Sequence, residues 1–217
     1  MKNTSLKVSI FVLLVSFAQL LNAEASWQLD KDENGIKVYV RDSAGSAVQS
    51  FKGVVNIPAR IPSIVTALED TKSYPLFLHN CKTASDLKTV SDSESFKYIV
   101  TNMPWPVKDR DMIVHSLMSQ DRNTKKVSIK MNADVKLLAQ KPGLVRISQM
   151  KGSWSLVPAA KGTVKVTYEM NVDPGGNLPK WLVNSLAVDI PFHTLRKLRE
   201  QLKKPVYENA KHAVIID

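Results

Sequence analysis

The residues best suited to chemistry are two neighbours of opposite charge, Arg110 and Asp111. A guanidinium beside a carboxylate suits two roles: it holds the polar head group of a ligand, or it forms an ion pair or hydrogen-bonded corner that fixes the start of a strand. Because charged residues are seldom buried unless they are paired, we favour the structural role. Both residues remain candidate ligand contacts.

Groups able to transfer protons are sparse. Asp111, His115 and Glu169 are the only residues that we name as a candidate acid or base facing a cavity. The histidines lack metal-binding spacing, and Cys81 near His79 has no third partner in the sequence. Phosphate loops, dinucleotide fingerprints and nucleophile elbows are missing. We predict no catalytic residue, metal or cofactor, with a cyclase-like or hydrolase-like enzyme for a hydrophobic substrate as the alternative.

A second group of candidates is apolar and belongs to a helical pattern near the C-terminus. The apolar residues Trp181, Phe192, Leu195 and Leu198 recur at helical spacing, with Pro191 expected to kink the helix. Such a stripe is by default core packing. If the helix covers a cavity, the same residues also line it, so we name all four as candidate ligand contacts.

Basic residues between Arg196 and Lys204 fall mostly on the other side of this predicted helix. A solvated face is the ordinary interpretation of such a run. The alternative is transient docking on an anionic membrane, to which each basic residue near the surface adds only ~1 kcal/mol.

The elements that position these residues are mainly strands. Alternation of apolar and polar residues, together with turn-like joints, predicts strands over 35–41, 50–57, 96–102, 111–119, 126–131, 144–150, 153–157 and 163–172. A turn is expected at Lys151-Gly152, and a short helix begins near Ile61. One long helix on one curved antiparallel sheet is an α+β arrangement. The gap between them would suit an apolar ligand.

The first 25 residues have the three parts of a secretory signal peptide. Lys2 and Lys7 precede an apolar run over 8–21, and Ala23-Glu24-Ala25 supplies a small-x-small cleavage pattern. The run is too short to cross a bilayer of about 30 Å comfortably, so we favour cleavage over an uncleaved anchor. No cysteine stands at the cleavage site to carry a lipid, because Cys81 is the single cysteine.

The net charge and the cysteine count indicate which classes of binding partner to expect. The formal net charge of +10 suits contact with anionic lipid head groups or other polyanions, and it equally well keeps the protein in solution. Nucleic acid is a poor partner for an exported chain, so we expect none. A single cysteine excludes an internal disulfide, and packing alone must stabilise the core.

Several short motifs occur in an order typical of one known family. They are Trp27-Gln28-Leu29, Asn34-Gly35-Ile36-Lys37-Val38-Tyr39, Asp70 with Tyr74-Pro75, Pro104-Trp105-Pro106 with Arg110-Asp111, Arg146-Ile147 with Gly152-Ser153-Trp154, and Asp173-Pro174-Gly175-Gly176 with Leu178-Pro179-Lys180-Trp181. In this order, with the terminal helix after them, they make the chain from about Trp27 to Lys204 resemble the START domain, the steroidogenic-acute-regulatory-related lipid transfer family.

The resemblance implies a helix-grip fold, one lipid or sterol held in a cavity, a C-terminal helix that acts as a lid, and no catalysis. An exported chain resembles the bacterial branch of the family. Sterol-binding relatives carry a cavity arginine six residues after the motif arginine, and here that position is Ser116. Losing a buried charge changes the polar end of the cavity, which counts against a cholesterol-like ligand.

Three functions follow in order of preference. The first is a lipid-binding or lipid-transfer protein, the second is the helix-grip enzyme named above, and the third is a partner-binding module with a filled core. The expected organisation is a signal peptide over 1–25, a START-like domain over 26–205 and a tail over 206–217. We expect a monomer in a bacterial periplasm.

Overall fold

The computed structural model describes residues 26–43, 48–176 and 178–216. The predicted signal peptide lies outside these residues. Within them, ten strands form one sheet in the order β1-β2-β3-β10-β9-β7-β6-β5-β4, with β8 paired in parallel to β6. The strands are β1 (Gln28–Glu33), β2 (Ile36–Arg41), β3 (Ser50–Ile57), β4 (Cys81–Ser91), β5 (Glu94–Thr101), β6 (Arg110–Gln120), β7 (Val127–Asp134), β8 (Val145–Arg146), β9 (Gln149–Ala159) and β10 (Thr163–Asp173).

Strand β10 shows how the sequence builds this sheet. Val164, Val166 and Tyr168 are buried, whereas Lys165 between them is exposed. Successive side chains of a strand point to opposite faces, so this alternation gives the sheet one apolar and one polar face. The predicted α+β class, with one antiparallel sheet and a long C-terminal helix, is confirmed.

Strand β9 corrects one prediction. The expected turn at Lys151-Gly152 is wrong, because β9 runs unbroken from Gln149 to Ala159. Gly152 lies there because a Cβ at this position would be 3.0 Å from the carbonyl oxygen of Glu169 and 3.2 Å from the Met131 side chain. The glycine allows close approach between chain segments and marks no turn.

Two predicted boundaries also differ. The expected strand over 144–150 is reduced to β8, two residues long, before β9 begins. Strand β4 is not among the predicted strands, because most of its residues are exposed and its pairing with β5 has three register shifts. Such an irregular edge strand has no clear alternation to read.

The described residues also contain two short 3₁₀ helices, Thr71–Ser73 and Ala160–Gly162, and four α-helices: α1 (Ile61–Glu69), α2 (Tyr74–Phe77), α3 (Lys180–Gln201) and α4 (Pro205–Glu208). Helix α3 continues through Pro191, and its residues Phe192, Leu195 and Leu198 are buried in the main core. No described helix combines the length and apolar character needed to cross a membrane.

The chain after α3 also packs on the domain. Tyr207 and Ile215 belong to the main core, and the Tyr207 hydroxyl donates a hydrogen bond of 2.6 Å to Asp70 Oδ2. His212 Nε2 lies 2.7 Å from Glu69 Oε2. The region predicted as a tail therefore covers the end of α1.

Helix α3 packs directly on Gly53 in β3. A Cβ at this position would lie 2.7 Å from Leu195 Cδ1 and 3.0 Å from Pro191 Cβ. Contacts this short require the Leu195 side chain or the helix at Pro191 to shift, so glycine at position 53 allows α3 to pack this close to the sheet.

We predict that Gly53→Ala lowers the free energy of unfolding by ~1–3 kcal/mol, because the added methyl overpacks the contact with α3. Chemical denaturation measures the effect. Leu195→Ala removes the nearest opposing atoms and is itself destabilising. The double variant should be more stable than the sum of the two single effects implies. Strict additivity of the two effects would contradict this account of the contact.

Candidate functional site

An apolar pocket lies between helices α2 and α3 and the inner face of the sheet. Its volume is about 120 Å³, and its lining is mainly apolar. Inward-facing residues of β5 and β6 supply one wall, and they include Ile99, Met112 and Val114. Helix α3 contributes Leu186, Ile190 and Thr194. The pocket is therefore covered by the helix that the sequence predicts as a lid.

The opposite wall of the apolar pocket is aromatic. The rings of Trp154 and Tyr168, which pair directly across β9 and β10, are stacked with centroids 4.0 Å apart. Phe51 meets Tyr168 edge-on at 5.1 Å. Burial raises the pKa of Tyr168, so its hydroxyl stays neutral. Rigid rings give this wall a large apolar surface at little entropic cost.

Two polar contacts join α3 to the segment between α2 and β4. The backbone N–H of His79 donates a hydrogen bond of 3.0 Å to Thr194 Oγ1, and Thr194 is fully buried. The His79 and His193 rings lie 4.7 Å apart. Since His79 and Thr194 both line the apolar pocket, this contact closes one of its edges.

The His79 ring is held neutral by its surroundings. Burial, followed by the charges of His193 and Lys197, lowers its pKa from 6.5 to about 4. Burial also lowers the pKa of His193, with Arg196 contributing. Two neutral rings can pack together, whereas two charged rings would repel each other across the edge of the pocket.

Arg110 is buried and lines the apolar pocket. Its guanidinium donates hydrogen bonds to the backbone carbonyls of Gly175 at 3.2 Å, Pro174 at 3.4 Å and Lys108. Burial lowers its pKa. Arg110 thus ties the start of β6 to the turn before α3, which is the structural role expected for it, and its ligand contact stays a prediction.

Asp111 occupies the other face of β6, as strand alternation requires for the next residue. It is fully buried and lies outside the lining of the pocket. Arg146 Nε and Nη2 donate to its two oxygens at 2.9 Å each, and the Tyr98 hydroxyl donates at 2.9 Å. Despite burial, these partners hold the pKa of Asp111 below its usual value. Arg110 and Asp111 therefore belong to separate networks.

The apolar candidates lie in different places. Phe192, Leu195 and Leu198 are buried in the core, and none of them is among the described residues that line the apolar pocket. Trp181 is 64% exposed at the start of α3. The stripe thus packs α3 onto the sheet, and a neighbouring face of the same helix, with Leu186, Ile190 and Thr194, lines the pocket. Ligand contact by these four residues stays a prediction.

The candidate acids and bases also lie outside the pocket lining. His115 contacts Glu94 at 2.8 Å and stacks on Phe96, and Glu169 stands opposite Lys52 in the neighbouring strand. Like Asp111, neither reaches the apolar pocket of the described chain. The described residues also contain no group of three potential metal ligands.

A second, polar pocket of about 250 Å³ adjoins the first. The two share six lining residues: Leu68, Tyr74, Lys97, Ser116, Met131 and Trp154. Lys97 was missed in the sequence, although alternation along β5 places it on the inward face with Ile99 and Thr101. Ser116, the position that carries arginine in sterol-binding relatives, lies where the pockets meet.

A curved antiparallel sheet closed by one long helix over an apolar pocket defines a helix-grip domain. The family model for the START domain matches residues 10–207, and the chain belongs to this family. The matched residues begin inside the predicted signal peptide and end within α4.

Relatives support the same assignment. An uncharacterized protein of Pseudomonas aeruginosa is 34% identical over 82% of this chain and 87% of its own. The phosphatidylcholine transfer protein of Rattus norvegicus is 24% identical over 75% of this chain and 77% of its own. A STAR-related lipid transfer protein from Xanthomonas axonopodis, 36% identical, superposes with a TM-score of 0.76 over 82% of this chain and 99% of that chain.

The histidine contact predicts a pH dependence. An unfolded histidine takes up a proton near pH 6.5, whereas folded His79 does so near pH 4. The unfolded state therefore binds more protons between these values, so this contribution to stability is complete above pH 6.5 and is lost as the pH falls. Because His79 is partly exposed, we expect an effect of ~1 kcal/mol or less.

Thermal unfolding near pH 7 and near pH 4.5 measures this contribution. In His79→Gln the side chain at position 79 cannot titrate. The decrease in melting temperature from pH 7 to pH 4.5 should therefore be smaller in this variant than in the natural protein. An equal loss in both proteins would show that protonation of His79 does not weaken the contact with α3.

Proposed function

We propose that this protein binds one hydrophobic lipid ligand under α3 and carries it between membranes. The observation that carries the proposal is the apolar pocket, walled by Phe51, Trp154 and Tyr168 and covered by α3. Apolar ligand surface that enters it leaves water at ~25 cal/mol per Å², which supplies affinity without chemistry.

The size of the apolar pocket indicates how loading works. Its volume of about 120 Å³ is below the ~300–1,000 Å³ of usual ligand sites. A lipid therefore enters only if α3 moves away from the sheet or if the apolar and polar pockets join. The His79–Thr194 contact is a point at which such opening begins. Outside the cytoplasm there is no ATP, so transfer follows lipid gradients.

Relatives favour a lipid over other apolar ligands. The rat relative is named for phosphatidylcholine transfer, and the Xanthomonas relative for lipid transfer. A sterol is the less favoured lipid, because Ser116 stands at the position where the resemblance implies an arginine in sterol-binding relatives. The enzyme alternative gains no support from Asp111, His115 or Glu169, whose side chains lie outside the pocket lining.

Membrane contact is best placed at the end of the fold that carries two exposed tryptophans. Trp105, in the loop between β5 and β6, is 93% exposed, and Trp181 opens α3. The two segments pack together through Met103 and Leu182. Tryptophan favours the interface between water and lipid. This surface therefore presents α3 and the pocket below it to a bilayer.

The basic residues from Arg196 to Lys204 lie elsewhere. Arg196 is fifteen positions after Trp181, which places it about 22 Å further along α3. Part of the run is engaged within the protein: Arg199 Nη1 donates to the Asn34 carbonyl at 2.9 Å, and Lys203 pairs with Glu200. The tryptophan end is therefore the better candidate for docking.

We predict that Trp105→Ser combined with Trp181→Ser weakens binding to vesicles of phosphatidylcholine and phosphatidylglycerol by about tenfold or more, since each 1.4 kcal/mol lost is tenfold. Co-sedimentation measures binding, and circular dichroism confirms folding. Val206→Ser is the control, because Val206 is 68% exposed on α4, away from this surface. Equal losses in the double variant and the control would rule out docking by the tryptophans.

We further propose that the chain is exported to a bacterial periplasm by residues 1–25 and acts there as a monomer. Lys2, Lys7 and the apolar run over 8–21 support export, as does the cleavage pattern at 23–25. The lack of a lipid-bearing cysteine near this pattern supports free diffusion between membranes.

One experiment tests both location and ligand. We expect the protein recovered from the periplasm of a producing bacterium to have lost residues 1–23 or 1–25, to be monomeric and to carry lipid. Native mass spectrometry reads all three properties at once. Protein without lipid, which also fails to move labelled lipid between vesicles, would refute lipid transfer, and a full-length mass would refute cleavage.

A further inference from the structure

Lys97 lies at the junction of the apolar and polar pockets and lines both of them. Its side chain is only 8% exposed. The Lys97 Nζ donates to Asp86 Oδ1 at 3.1 Å and, at the longer distance of 3.4 Å, to the carbonyl oxygen of Glu69. An ammonium has three donors, so this one retains capacity to bind an incoming acceptor.

Lys97 and Asp86 are buried to different extents. The Asp86 side chain is 52% exposed, and its second oxygen accepts a hydrogen bond of 2.8 Å from Thr71 Oγ1. Water can therefore solvate Asp86 if the pair opens, whereas the buried ammonium of Lys97 needs another negative partner. An anion that enters from the pocket side can replace Asp86 without leaving a buried charge unpaired.

Strand register places this cation four residues along β5 from Thr101, the end of the strand next to the Trp105 loop. Glu94 pairs with Leu117 at one end of the β5–β6 ladder, and Thr101 pairs with Arg110 at the other end, next to the Trp105 loop. Ser116 faces inward near the Glu94 end, and Lys97 faces inward in the middle of this ladder. A chain-like ligand that lies along the apolar pocket can thus have its tail toward α3 and its head at Lys97.

The rim of the polar pocket limits the head group. Glu69 contacts His212 at 2.7 Å, Glu94 contacts His115 at 2.8 Å, and Asp92 also lines the rim. Carboxylates at the rim disfavour a head group with several negative charges, because like charges repel. One small anionic group, held inside the rim at Lys97, avoids this repulsion.

We propose that Lys97, with the Ser116 hydroxyl beside it, binds the anionic head group of an amphiphile with one acyl chain. The inference rests on the proposed function and specifies the ligand class of the same site. The recognised chemistry is a singly charged carboxylate or phosphate diester on a hydrocarbon chain. The anionic group takes the place of the Asp86 carboxylate at the Lys97 ammonium, and the aromatic wall covers the hydrocarbon chain of the ligand.

Binding of three probes to the mature protein below their micellar concentrations tests the proposal. Oleate and oleyl methyl phosphate carry the two anionic groups, a carboxylate and a phosphate diester with one negative charge each, and oleyl alcohol is the neutral match. We expect at least one anionic probe to bind about tenfold tighter than the alcohol, since hydrogen bonds to charged groups contribute strongly. The stronger of the two anionic probes identifies the head group.

Variants separate charge from packing. Lys97→Met should weaken binding of the preferred anion by about tenfold and change the alcohol by less than about twofold. Asp86→Asn removes the competing carboxylate and should tighten anion binding several-fold, a gain that a purely structural ion pair would not give. Lys88→Met is the matched control, because Lys88 is exposed on the neighbouring strand β4. It should change neither the binding of the anion nor the binding of the alcohol.

The outcomes distinguish the two proposals. If no probe binds and no lipid is recovered with the protein, lipid binding itself is refuted. If the alcohol binds as tightly as both anions, lipid binding stands and the role of Lys97 is wrong. If Lys97→Met does not fold, two other results still test the role of Lys97. They are the comparison of the three probes on the natural protein and whether Asp86→Asn tightens or weakens anion binding.

Discussion

The packing of α3 over the apolar face of the sheet is the interaction on which the rest of this structure depends. One curved sheet has one apolar face, and a single helix must remove it from water. At Gly53 the helix lies as close to the sheet as its side chains allow. Towards its N-terminal half, Leu186 and Ile190 instead face a pocket. The same helix therefore seals the core with Leu195 and Leu198 and covers a space that packing does not fill.

Strand alternation decides what the charged residues can do. Arg110 and Asp111 are neighbours in sequence, yet β6 sends one to the pocket face and the other to a network with Arg146 and Tyr98. Burying Asp111 is tolerable because a bidentate guanidinium and a hydroxyl satisfy it. A shift of one residue in the pairing of β6 would exchange the two side chains between faces, so the register of β5 and β6 is fixed by charge as well as by apolar packing.

The sequence predicts those parts of the fold whose pattern is local. Alternation in β10 and the helical spacing of Phe192, Leu195 and Leu198 are local, and both elements were predicted. The contacts of Gly152 with β7 and β10 come from distant segments, so the glycine was read as a turn. The partner of Asp111 is Arg146, 35 positions away, and no local rule pairs them. Lys97 was overlooked because its role depends on two pockets that exist only after β5, β6 and α1 assemble.

Polarity is distributed along the pocket in a way that suits a carrier. At one end, Trp105 and Trp181 expose apolar surface that a monomer in water would otherwise bury, which indicates contact with something apolar outside the protein. At the other end, Lys97 is a buried cation whose present partner, Asp86, can be solvated without the pair. The free energy of an apolar chain falls as it moves from the tryptophan end into the pocket. The free energy of an anionic head group is lowest beside Lys97. For the proposed amphiphile, burial and charge alone set the direction in which it would lie in the pocket, without a change in the fold of the sheet.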